Sequence, residues 1–92
     1  MPVVELNRAI AVGMAFGPAA GLELVDALAA EPALRSYPYL PSVRGDLLLK
    51  TGRFNEARIE FERAAELTQN AQERTLLEAR AKEVLDRLTG PA

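Results

Sequence analysis

The sequence predicts an all-α fold of five helices, two antiparallel helical hairpins followed by a C-terminal capping helix. Three observations carry this reading. Apolar residues recur at steps of three and four, as at Phe54, Ala57, Phe61, Ala64 and Ala65, which gathers them on one stripe of a helix. Glycine and proline break the chain at helix-length intervals, at Gly17-Pro18, Pro32, Gly52 and Gly90-Pro91. An echo links the two halves: Ala20, Leu24 and Ala27 stand 37 residues before Ala57, Phe61 and Ala64. Helical units repeated at a fixed period stack into solenoids, whose usual work is holding other macromolecules.

Each element follows from its residues. Pro2 suits a first helical turn, where its missing N–H would be unpaired anyway. Helix one is expected over 3–16 and stops at Gly17-Pro18. Pro18 opens helix two, 18–30, with Ala20, Leu24, Val25 and Leu28 at helical spacing, and Glu31-Pro32 ends it. These two helices are hairpin one, 3–30. Residues 31–41, EPALRSYPYLP, hold three prolines and form the connector.

Hairpin two covers 42–68. Its first helix, 42–51, turns Val43, Leu47 and Leu48 inward, and Gly52 is placed for a left-handed C-cap. Its second, 54–68, carries the stripe quoted above. Small residues at Gly45, Ala57 and Ala64 let the two helices approach, while Leu48, Phe54 and Phe61 fill the seam. Asn70 with Glu73 resembles a capping box and starts the capping helix, 70–88, with Leu77, Ala81, Val84 and Leu88 facing the body.

Composition narrows the function. Ninety-two residues make one domain with a core of modest stability. With a net charge of −2 and no basic surface, direct DNA binding is not expected. Cysteine and histidine are both absent, which removes disulfides, thiolate nucleophiles, the commonest metal ligands and the commonest general base. No metal, cofactor or catalytic role is expected. No apolar run approaches a membrane span, and the sequence reads as soluble and cytoplasmic. Gly17-Pro18 and Gly21 match no phosphate-binding fingerprint.

Charge is uneven: residues 1–52 hold 9 charged side chains and 53–92 hold 15, so the last helix reads as a solvated end-cap. Glu56, Glu60, Glu62 and Glu66 alternate with Arg58 and Arg63 and read as exposed pairs, each contributing a few tenths of a kcal/mol. Helix one is the opposite. Ala9 to Phe16 has no polar side chain over more than two turns. A helix apolar all round is normally buried all round, yet the hairpin arrangement covers only one side. The expectation is that another element precedes residue 1, that Met1 is an added start, and that the sequence is a fragment of a longer one. Val4, Ala11, Val12, Ala15 and Phe16 are the candidate apolar interface, open to self-association.

The stretch Arg44 to Leu67 resembles a tetratricopeptide (TPR) hairpin. The blocks PVVELNRAIAV, GPAAGLELVDAL, YPYLPSVRGDLL, LLKTGRFNEAR and QERTLLEAR resemble, more narrowly, the C-terminal TPR-like extension of a subgroup of bacterial extracytoplasmic-function (ECF) RNA polymerase sigma factors. The resemblance covers nearly all of 2–88, and LNRAIAV and GPAAGL are its distinctive parts. It implies an accessory domain that modulates transcription initiation through core RNA polymerase, a regulatory protein or the sigma domains of the same full-length chain. The alternative is a stand-alone TPR adaptor that binds an extended peptide or the C-terminus of another polypeptide.

In TPR hairpins the first helices line the concave groove. That makes Asn7, Arg8, Arg44 and Asp46 a candidate protein-binding patch, Asn7 and Arg44 holding equivalent places 37 apart. The alternative is an internal network in which the arginines tie the hairpins together through Glu5, Asp26 or Asp46. Tyr37, Tyr39 and Leu40 either plug the space beneath the connector or offer an interface. Gly13 inside helix one marks a close helix crossing.

Overall fold

Gly17 alone separates the first two helices. Its φ of 102° and ψ of 154° lie in a region open essentially to glycine, so the backbone turns back in one residue and Pro18 starts the next helix. The computed structural model describes residues 2–34 and 36–90. Among them are five α-helices: α1 (Pro2–Phe16), α2 (Pro18–Leu28), α3 (Tyr39–Lys50), α4 (Phe54–Leu67) and α5 (Ala71–Thr89), with a single 3-10 turn at Pro32–Leu34. No strand occurs among the described residues. Met1, Arg35 of the connector, Pro91 and Ala92 lie outside them.

Each helix packs against the next along the sequence. A Cβ on Gly13 would approach Pro18 and Gly21, while one on Gly21 would meet the Ala9 carbonyl at 2.9 Å. The expected crossing at Gly13 is therefore real, and Gly21 is its other half. Between α3 and α4, Gly45 lies against the Phe61 ring. Between α4 and α5, Arg74 reaches the Ala65 and Thr68 carbonyls near one end, and Arg80 covers Phe61 further along. The core comprises Leu6, Ala9, Val25, Leu47, Leu48, Ala57, Phe61, Ala64, Leu77 and Val84 among others. The molecule measures 42 × 31 × 19 Å, two helix diameters thick, and α3 packs against α2, α4 and, more lightly, α1.

Helix ends follow local chemistry. Gly52, φ 81°, closes α3; the Arg53 and Gly52 N–H groups donate to the Leu48 and Leu49 carbonyls at 3.0 and 3.1 Å, a Schellman cap. Asn70 Oδ1 accepts from the Glu73 N–H at 2.8 Å. The Asn70 N–H donates to the Thr68 hydroxyl, which takes the place of the Glu73 side chain expected for a capping box.

Several expectations are corrected. α3 starts at Tyr39, three residues before the expected 42, because Pro41 sits in its first turn, where no N–H is needed. α2 ends at Leu28 rather than 30. Between α2 and α4 the burial pattern matches at an offset of 36 residues rather than the expected 37, whereas α1 and α3 start 37 apart. α2 and α4 start at 18 and 54, and Gly21 and Val25 are buried as Ala57 and Phe61 are. A slip of one residue turns a helix face by about 100°. Leu24 and Ala27 are consequently exposed and Ala20 half-buried. The alanine match misled because alanine sits equally well on a solvated face. Leu88 is exposed too: α5 has 19 residues against 14 in α4, and its last turn overhangs.

Candidate functional site

The apolar candidates of α1 lie open. Leu6 and Ala9 turn into the body and are fully buried. Val4, Ala11 and Ala15 are exposed, Val12 is half-buried, and Phe16 is 80% exposed. Val4, Arg8, Ala11 and Ala15 follow steps of four, three and four, so the exposed stripe carries one charge. Met14, 81% exposed, belongs to this surface and was missed, although it lies within the charge-free run 9–16 that signalled it.

The four polar candidates do not converge. Arg44 and Asp46 are two residues apart on α3, about 200° around the helix, and therefore face opposite sides. Arg44 points between α2 and α4. Its Nε donates to Asp26 Oδ1 at 2.8 Å, and its Nη1 lies 3.2 Å from Glu60 Oε1. Burial disfavours its charge, but the hydrogen bond to Asp26 and the charges of Glu60 and Asp26 outweigh that and raise its pKa. Arg44 thus links α3 to α2 and α4 through Asp26 and Glu60. Its second partner, Glu60, is only 8% exposed, which corrects its expected place among exposed pairs. Ala57, Glu60 and Ala64 share one stripe, a signal available in the spacing. Arg58 pairs with Glu62 at 2.8 Å, as the helix periodicity suggests.

Asp46 faces the other way, into a hollow of about 380 Å³ where α1, α3 and α5 meet. Ile10, Gly13, Val43 and Leu47 form its apolar lining, and Met14 stands at its edge. Asp46 accepts from Arg80 at 3.0 Å and pairs with Lys50 at 3.1 Å. Burial raises its carboxyl pKa, but the hydrogen bonds and charges of Lys50 and Arg80 prevail and hold it below the ordinary value. Arg80 is anchored from beneath, its guanidinium 4.3 Å from the Phe61 ring centroid. Two cations around one carboxylate leave this rim with a single positive charge.

Asn7 and Arg8 join neither site. Asn7 accepts from the Tyr39 hydroxyl at 3.2 Å, and Arg8 is exposed, 3.9 Å from Glu5. Tyr37 and Tyr39 are half-buried against the core, and Leu40 is buried beneath the connector. Among the described residues no group of three or more acidic side chains is arranged to hold a metal ion, and no helix is long and apolar enough to cross a membrane.

No family model and no solved structure matches the sequence. Over 72 residues it is 47% identical to an uncharacterised protein of Rhizobium meliloti (strain 1021). The match takes up 78% of this chain and 16% of that protein, so the chain spans about a sixth of the length of the curated relative it matches.

Proposed function

We propose that this is a TPR-like protein-interaction domain, two helical hairpins and a capping helix, serving as the accessory extension of a bacterial ECF sigma factor. In this reading it modulates transcription initiation through the sigma domains, core RNA polymerase or a regulator. It works in the cytoplasm, binds no DNA itself and catalyses nothing. The observation that supports it most is the open face of α1, where Met14 and Phe16 are about four-fifths exposed at the end of a charge-free run. Apolar area of this kind marks contact surfaces. The Rhizobium relative, of which the matched segment is one-sixth, is consistent with a module carried on a longer polypeptide.

The test is fluorescence anisotropy of the labelled protein against purified ECF sigma domains and core RNA polymerase. Saturable binding to either, weakened at least tenfold by Met14→Glu or Phe16→Glu with the melting temperature unchanged, supports the reading. No binding to either ends the reading in which the domain contacts the sigma domains or core polymerase directly. The hollow at Asp46, Lys50 and Arg80 favours a second reading, the peptide adaptor, in which an extended segment lies across α1, α3 and α5.

A further inference from the structure

Tyr37 and Tyr39 are the only two tyrosines in the sequence, which has no tryptophan. Their ring centroids are 6.0 Å apart with planes inclined by 68°. On one side both rings pack against the core. They also line an open surface hollow of about 410 Å³, shared with Val3, Asn7, Pro38 and Glu73, at the far end of α1 from Phe16.

The charge of this hollow is one-sided, with Glu73 as the one charged side chain in its lining among the described residues. An aromatic face carries the negative lobe of the ring quadrupole. An ionised carboxylate such as Glu73 can only accept hydrogen bonds. Asn7 Oδ1 accepts from the Tyr39 hydroxyl at 3.2 Å, which helps to fix that ring. Among the described residues no cationic side chain lines the hollow, and Glu73 makes no ion pair. The Glu73 backbone N–H is already held by Asn70, so its carboxylate is free of the capping role.

We propose that this hollow receives a cationic side chain, an arginine or lysine, from a partner protein. The aromatic faces would hold the cation by quadrupole attraction and Glu73 would accept its N–H groups. A small free cation would keep its water in so open a place and gain little, whereas a side chain delivered within an interface is dehydrated by the surrounding contact. This site is separate from the α1 apolar face, and the inference stands whether or not the sigma-factor reading does.

Both tyrosines lie at the site and no tryptophan masks them, so intrinsic tyrosine emission of the whole protein reports on this hollow. Titration with a tetra-arginine peptide should give a saturable change in emission. Glu73→Gln should weaken the midpoint by about 1.5- to 5-fold, the range of exposed ion pairs, with the difference shrinking at high salt. Tyr37→Leu should lower the response further while Tyr39 still reports. Melting curves accompany both variants, because Glu73 also sits in the first turn of α5, where the helix dipole favours a negative charge. An equal response to tetra-glutamate, or an unchanged midpoint in folded Glu73→Gln, overturns the proposal. Tetramethylammonium binding as tightly as the peptide overturns the assignment to a protein side chain.

Discussion

Phe61 occupies the space that a side chain on Gly45 would need: a Cβ there would stand 2.8 Å from Phe61 Cε1. The ring is fully buried and lies beneath the Arg80 guanidinium, so it has little room to yield. One contact therefore sets the α3–α4 spacing and steadies the α5 rim of the hollow around Asp46.

Gly45→Leu is accordingly expected to cost about 1–3 kcal/mol or somewhat more through overpacking. Ala57→Leu, at a fully buried position on the same seam, should behave alike. Ile59 is 47% exposed, and Ile59→Ala should cost less than either. Denaturant melts rank the three, and a ranking with Ile59→Ala as the most damaging would contradict this packing.

Arg44 and Glu60 should behave as a unit. Arg44→Met strands the nearly buried Glu60, and breaking such a pair costs about 3–5 kcal/mol; the partial exposure of Arg44 places the expectation at the lower end. Glu60→Leu added to Arg44→Met should recover much of the loss. A double-mutant cycle with additive effects would mean that the pair is not coupled.

Asp46 ties stability to pH. Its folded carboxyl lies below the ordinary value of 3.8, because Lys50 and Arg80 outweigh the effect of burial. A depressed carboxyl pKa contributes stability that is complete above the unfolded value and disappears as pH falls through the folded one. The wild type should therefore lose more stability than Asp46→Asn between neutral pH and about pH 3. Urea melts at the two pH values measure the difference, and equal losses would remove Asp46 from the linkage.

The open α1 face should promote self-association in the isolated protein. Sedimentation at high concentration is expected to show dimers or larger species, reduced by Phe16→Glu and less by Val12→Glu, since Val12 is already half-buried. A monomer at every concentration would show that the exposed Met14 and Phe16 are too dispersed to drive contact.

DNA binding should be negligible. With a net charge of −2, few phosphates can be neutralised, and even non-specific binders reach only about 10⁻⁴ to 10⁻⁶ M at physiological salt. Submicromolar anisotropy binding to promoter DNA would overturn this.

The periodicity of Phe54, Ala57, Phe61 and Ala64 was enough to place α4 and its seam with Gly45, because these positions repeat a helix turn and depend on little else. Gly17 and Gly52 marked the turns for a similarly local reason: both hold positive φ. Position 41 was harder to read, since proline breaks a helix interior yet fits a first turn, and only the packing of Leu40 into the core makes the helix begin before it. The buried face of α2, the burial of Glu60 and the divergence of Arg44 from Asp46 were settled by tertiary structure. Each depends on which side of a helix meets a neighbour, and one residue of slip turns that side by about 100°. Spacing therefore identified the α4 stripe, while the packing of α2 and α4 against α3, with Arg80 of α5 reaching Asp46, decided which charge faces inward and which lines the open hollow.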